Sequence, residues 1–108
     1  MITVKFTYEN KEIKKISVSG HSLYDKEGLD IVCSSVSTAV IYSIRLLKAN
    51  NEKFSYTEDK EKPEITILVK ESSSHTKIVL DNLKVLLEDL SKDYPKNIKI
   101  KEALKWLN

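Results

Sequence analysis

Ser19-Gly20-His21-Ser22-Leu23-Tyr24-Asp25-Lys26-Glu27-Gly28-Leu29-Asp30-Ile31-Val32-Cys33-Ser34-Ser35-Val36-Ser37-Thr38 is the stretch in which the chain changes period. Before it, apolar residues alternate as in a strand; after it, they recur at three- and four-residue spacing, as on one face of a helix. Gly20 to Leu29 follows neither period and reads as a polar loop. The stretch also holds the only cysteine, both glycines and one of the two histidines. Outside it the chain reads as ordinary amphipathic strands and helices.

Upstream, Ile2, Val4, Phe6 and Tyr8 alternate with Thr3, Lys5 and Thr7, the pattern of a half-buried strand. Glu9-Asn10-Lys11 can turn the chain, and a second strand from about Glu12 to Ser19, with Ile16 and Val18 as its apolar side, completes a hairpin. Downstream, Asp30 reads as the N-cap of a helix whose face carries Val32, Val36, Ala39, Val40, Ser43 and Leu47, ended by Asn50-Asn51. Strands follow near Glu52 to Thr57 and Glu64 to Lys70. Ser72 to Ser74 lead into a second helix, about His75 to Lys92, with Val79, Leu83, Leu86, Leu87 and Leu90 as its stripe, stopped by Pro95. Ile98 and Ile100 can add a short last strand, and Ala103 to Asn108 is ambiguous.

The expected fold is therefore α+β, a two-layer sandwich with two helices on one face of a mostly antiparallel sheet, in the order β-β-α-β-β-α with or without a final β. Residues 1–108 form one domain, long enough to bury a core without disulfides or metal. The open face of the sheet is the expected place for a second subunit to cover exposed Tyr or Phe.

Composition excludes several classes. With 18 basic and 16 acidic residues, the net charge of +2 is too balanced to imply nucleic-acid binding by itself. No apolar run reads as a membrane span of roughly 20 residues, and the N-terminus alternates like a strand instead of carrying the apolar block of a signal peptide. A lone cysteine makes no internal disulfide, which points to the reducing cytoplasm. One cysteine and two separated histidines give no metal-site spacing, and no cofactor is implied.

Cys33 and His21 together offer one chemistry to weigh, nucleophilic attack, beside the plain readings of each residue. Cysteine attacks as a thiolate, which is favoured at a helix N-terminus and beside a histidine. Cys33 falls about three residues past the predicted cap, near unsatisfied amides and the positive end of the helix dipole. The dipole contributes about 0.3–1 kcal/mol at exposed sites, so a paired imidazole has to add the rest. His21, at the end of the second strand, is the nearby candidate. Gly20 and Gly28 then act as hinges of a loop, residues 22–29, that covers the site as a lid. Each residue also has a plainer reading: Cys33 as a packing thiol, His21 and the glycines as turn residues, Asp30 as a cap, Ser37 as a helix serine facing solvent or bonded back to the preceding turn, His75 as a helix-start residue.

Gly20-His21-Ser22 followed by Gly28-Leu29-Asp30-Ile31-Val32-Cys33-Ser34-Ser35-Val36-Ser37 resembles the motif of the ribosomal-processing cysteine protease family, Prp: a Gly-His, a short variable loop, then Gly-x-Asp-[Ile/Val]-[Val/Leu]-Cys-[Ala/Ser]-[Ala/Ser]-Val-Ser. The leading hairpin, the length and Tyr94-Pro95-Lys96 after the second helix are compatible with it; Glu102 to Asn108 finds no counterpart. The resemblance implies that Cys33 is the nucleophile and His21 its general base and acid, with Asp30 and Ser37 in supporting positions. It implies a bacterial, homodimeric endopeptidase that removes the N-terminal extension of a large-subunit ribosomal protein during ribosome maturation. It also implies that the cut falls after aromatic residues and that neither a membrane nor direct contact with nucleic acid is required. The alternative is a non-catalytic ribosome- or RNA-associated module in which Cys33 packs and Lys96, Lys99, Lys101 and Lys105 meet phosphates. Another cysteine hydrolase with a different substrate also satisfies the motif.

Overall fold

The computed structural model describes residues 1–20, 29–59 and 61–104, with backbone alone at 29 and 30. Its elements run β1 (Ile2–Glu9), β2 (Glu12–Ser19), α1 (Leu29–Ala49), β3 (Lys53–Asp59), β4 (Glu64–Glu71), α2 (Ser74–Asp93) and β5 (Ile98–Leu104). The five strands form one sheet in the order β3-β4-β2-β1-β5. Three pairings are antiparallel, while β5 runs parallel to β1. The expected α+β sandwich is thus correct, and its optional last strand is a full edge strand that reaches Leu104, into the segment the sequence left ambiguous.

Local chemistry explains the joints. The β1–β2 hairpin turns on Asn10 and Lys11, both at positive φ (54° and 65°), the mirror-image turn whose twist matches that of the strands. Thr7 pairs with Lys15 but Tyr8 pairs with Ile13, so Lys14 is an extra residue in β2. This bulge lets Ile13 and Ile16, three apart, both face the core, a departure from strict alternation that the sequence pattern does not announce. At the end of α1, Glu52 N–H donates to Leu47 C=O and Asn51 N–H to Lys48 C=O, each at 3.0 Å, around Asn51 at φ 54°. That is the left-handed termination expected of the Asn pair.

The core lies between the helix layer and one face of the sheet. Phe6 and Val4 of β1, Ile16 of β2 and Ile67 of β4 are sealed under Val32, Val36, Val40 and Leu47 of α1 and Leu80 and Leu87 of α2. Burying a side chain of this size contributes about 1.5–3 kcal/mol. Two expectations shift. Ile44 and Leu80, absent from the predicted stripes, are buried, and Leu86, assigned to the stripe of α2, is 46% exposed. Thr76, Val79, Leu80, Leu83 and Leu87 set the buried face, and Leu86 stands about 100° round the helix from Leu87. The second correction concerns membranes: Ile31–Ala49 is long and apolar enough to cross one by length and composition, although it holds several serines. Part of that apolarity is its core face; the rest, Ile31, Ile41 and Tyr42, is exposed.

One carboxylate ties the two helices together. Ser73 caps α2, its hydroxyl accepting the Thr76 N–H at 3.1 Å. The hydroxyls of Ser73 and Thr76 (2.6 Å) donate to Glu52, just past the end of α1, and the Asn50 side-chain amide donates to its second oxygen at 2.5 Å. These bonds, that of Ser73 first, hold the Glu52 carboxyl below its ordinary range. A lowered folded-state value stabilises the fold above the unfolded value and ceases to do so as pH falls through the folded one. Glu52→Gln is therefore expected to melt below the parent at neutral pH, with the gap closing at about pH 4 and under. Thermal melts across that range check this, and a pH-independent gap refutes it.

Candidate active site

The site lies where β2 leaves the sheet and α1 begins. Ser19, the last residue of β2, sits between Thr3 of β1 and Glu64 of β4, with Asp59 of β3 beyond Glu64. Gly20 then turns out of the sheet at φ +77°, a conformation that residues with a Cβ rarely adopt. A Cβ here would stand 2.6 Å from the Met1 carbonyl oxygen. The Gly20 N–H donates to Pro63 C=O at 3.1 Å. Pro63 is itself held by the β3–β4 turn, in which the Asp59 carboxylate accepts the N–H groups of Glu61 and Lys62 at 3.0 and 3.2 Å. The sharp turn expected at Gly20 is thus present, and its partners Met1 and Pro63 are ones that sequence reasoning missed. In the sequence Pro63 is marked only by its place between the third and fourth strands.

The remaining site residues divide. His21, Gly28 and the lid expected between them lie outside the described residues. Asp30 is not the N-cap: α1 already begins at Leu29, so Asp30 stands in the first turn and Leu29 belongs to the helix instead of the loop. Backbone helicity won over side-chain preference by one residue. Cys33 is consequently the fifth residue of α1 instead of a first-turn residue. Helical side chains lean back over the preceding turn, so the start of the helix, with its unsatisfied amides, still lies beneath this position. Cys33 is half-buried and packs on the edge of the core, neither sealed in as a packing thiol nor standing free of the fold.

Ser37 is one turn on from Cys33 and also half-buried. Ser35 and Ser43 bond back to the preceding turn, their hydroxyls donating to the carbonyls of Ile31 and Ala39 at 2.8 and 2.9 Å. Ser37 has no such back-bond among the described residues, and its side chain keeps partial access to solvent. The flank that carries Cys33 and Ser37 points toward β3. Lys48 lies within about 60° of Cys33 round the helix, and its ammonium donates to the Tyr56 hydroxyl at 3.1 Å. His75 is exposed in the first turn of α2. Among the described residues no group of three or more His, Cys, Asp or Glu is placed to hold a metal.

An open groove of about 640 Å³ lies on a different side of α1, lined by Ile31, Ser34, Ser35, Thr38, Ala39 and Tyr42 with Leu86 of α2. Cys33 does not line it. The groove and the candidate nucleophile occupy separate faces of one helix.

Residues 1–99 match the family described as cysteine protease Prp. The ribosomal processing cysteine protease Prp of Mycoplasma genitalium is 26% identical over 83 residues, 77% of this chain and 82% of that one. Its counterpart in Mycoplasma pneumoniae is 26% identical over 91 residues, 84% and 89% of the two. The fold is similar to that of an essential ribosomal processing protease Prp from S. aureus, solved with a covalently linked product peptide (TM-score 0.84, 23% identity, 94% of this chain and 99% of that one). It is also similar to that of a Streptococcus mutans protein (TM-score 0.87, 18% identity, 97% and 96%).

The close approach at Gly20 is directly testable. Gly20→Ala must either keep φ near +77° against the Met1 carbonyl or give up the bond to Pro63. It is expected to lower stability by roughly 1–3 kcal/mol in urea unfolding. An unchanged midpoint refutes the constraint.

Proposed function

The chain belongs to the cysteine protease Prp family, and from that premise we propose that it is the endopeptidase that removes the N-terminal extension of a large-subunit ribosomal protein in the cytoplasm. The family match over residues 1–99 carries this reading. It is supported by a half-buried cysteine near the start of α1, by relatives named for ribosomal processing, and by a related fold solved with a substrate peptide.

In this mechanism the His21 imidazole takes the Cys33 thiol proton, and Sγ attacks the scissile carbonyl carbon. The oxyanion of the tetrahedral adduct is met by backbone amides at the start of α1. The adduct collapses with cleavage of the C–N bond, and the imidazolium gives its proton to the departing amine. Imidazole then deprotonates a water that attacks the thioester, releasing the carboxylate product and returning the thiol. Asp30 and Ser37 support the site from either side of Cys33. The residue on the acyl side of the cut is aromatic.

A second copy of the chain completes the assembly, and the helix layer receives it. The sequence pointed to the open sheet face, but Leu68 is the one large apolar residue turned outward in the paired register there. Phe54 and Tyr56 share the helix side with Val69 and Ile67. On α1, by contrast, Ile31 (62% exposed) and Tyr42 (61%) flank the small residues Ser34, Ser35, Thr38 and Ala39. This order of large and small reads the same from both ends. A second α1 running antiparallel therefore seats its Tyr42 at the first Ile31 and its Ile31 at the first Tyr42, a closed two-fold contact.

Two experiments follow. Cys33→Ala and His21→Ala are each expected to stay folded by circular dichroism while losing at least about a thousandfold in cleavage of a peptide bearing an aromatic-containing ribosomal extension. Retained cleavage in Cys33→Ala ends the proposal. Tyr42→Lys is expected to turn a dimer into a monomer in light scattering, and a dimer that persists removes the helix layer as its interface.

A further inference from the structure

The open face of the sheet is where the charge of this chain becomes uneven. In the register of the strands, three rows of outward positions cross the sheet. They read Ser55-Leu68-Lys15-Thr7-Ala103, Thr57-Thr66-Ser17-Lys5-Lys101 and Asp59-Glu64-Ser19-Thr3-Lys99 from β3 to β5. The pair Glu12 and Glu9 closes the hairpin end of β2 and β1, and Asp59 and Glu64 occupy one corner of the face, on β3 and β4. The opposite side carries Lys5, Lys15, Lys99 and Lys101, all exposed, in a diagonal band about 16 Å long. The acid of β5 in this stretch, Glu102, stands on the other face, where it pairs with Lys84 at 3.0 Å. Neither of the two ion pairs among the described residues involves the four lysines.

Such a band is not what stability alone would select. Lys5 and Lys101 stand directly opposite each other on neighbouring strands, and like charges in that relation destabilise a sheet. Alternating signs would protect the edge strand β5 from unwanted pairing equally well. Between the lysines lie the hydroxyls of Thr3, Ser17 and Ser19, which donate to phosphate oxygens as readily as lysine does. No aromatic side chain faces outward in these rows on which an unpaired base would stack, and Leu68 alone is apolar enough to enter a bilayer. The surface suits a phosphate backbone and offers no reading of bases.

We propose that the outer face of β1, β2 and β5 is a docking surface for the phosphate backbone of double-helical RNA, contacted through Lys5, Lys15, Lys99 and Lys101; the choice of RNA rests on the ribosomal reading above, which relatives named for ribosomal processing support. This is a function separate from peptide cleavage, because the rows that carry the lysines lie on the side of the sheet away from α1. It also relocates the basic character that the sequence suggests for the C-terminal segment: Lys99 and Lys101 act with lysines of the N-terminal hairpin, which β5 meets only through its parallel pairing with β1.

The test is fluorescence anisotropy of the full chain with a labelled RNA duplex of about 16 base pairs across a salt series. With four lysines engaged, affinity is expected to fall about 50- to 150-fold between about 50 and 200 mM salt. The fourfold variant Lys5→Gln, Lys15→Gln, Lys99→Gln, Lys101→Gln is expected to lose at least about tenfold in low-salt affinity and most of the salt slope. It should keep its melting temperature and its rate on an isolated peptide. A charge-matched control at other exposed positions, Lys11→Gln, Lys62→Gln, Lys92→Gln, Lys96→Gln, is expected to bind as the parent does. Equal loss in the control overturns the proposal, since net charge then suffices. So does the absence of salt-dependent binding, or binding to phosphatidylglycerol vesicles without binding to RNA.

Discussion

Everything at the working end of this molecule depends on how the chain leaves the sheet after Ser19. The strand there is internal, with β1 on one side and β4 on the other, so the backbone has no free edge along which to turn. It escapes by a left-handed step at Gly20, so close to the Met1 carbonyl that a single added carbon has no room, and it is pinned by one hydrogen bond to Pro63. Three sequence-distant segments, the first residue, the end of β2 and the turn before β4, therefore set the direction in which the chain starts toward His21 and α1. The sheet thus gives the chain a rigid point of departure toward the helix that carries Cys33.

Helix α1 serves three surfaces at once, and its composition follows from that. One face carries the Val-rich stripe that seals the core, one flank carries Cys33 and Ser37 toward β3, and a third side carries the apolar groove. A helix with one buried face ordinarily has a polar remainder. Here the remainder is mostly serine, threonine and exposed Ile and Tyr, with Arg45 and Lys48 confined to the C-terminal end, which is why the helix is apolar enough to pass for a membrane span. The serines are divided between roles: Ser35 and Ser43 satisfy their hydroxyls within the helix, and Ser37 does not.

Much of this was legible because it is local. Periodicity found both helices, four strands and the hairpin, and the Asn pair announced its left-handed terminus. Cys33 stood out because nucleophile, histidine and glycines were concentrated in one stretch and matched a family motif. What was illegible is non-local or turns on a single residue. The bulge at Lys14 and the exchange of Leu86 for Leu80 depend on how elements dock. The cap at Asp30 failed because helix ends shift by a residue without changing the pattern that reveals them. Strand β5 has only Ile98 and Ile100 to mark it, and its reach to Leu104 comes from the ladder that β1 offers. Met1 and Pro63 could not be named as partners of Gly20, since nothing in either neighbourhood encodes the contact.

The same distinction between local and non-local applies to charge. Read along the chain, lysines and carboxylates alternate closely enough to leave a net charge of +2 and no basic run. Read across the sheet, the parallel β1–β5 pairing sets Lys5 against Lys101 and Thr3 against Lys99, while antiparallel β3–β4 pairing sets Asp59 against Glu64. Both like-charge pairs carry a cost, and both result from a register that the buried residues on the other face enforce, since a one-residue slip would move Val4, Phe6 and Ile67 out of the core. The core thus holds fixed a surface field that its own charges disfavour. An unfavourable arrangement held by unrelated packing is free to be used for binding, because removing the repulsion with an anion costs the fold nothing.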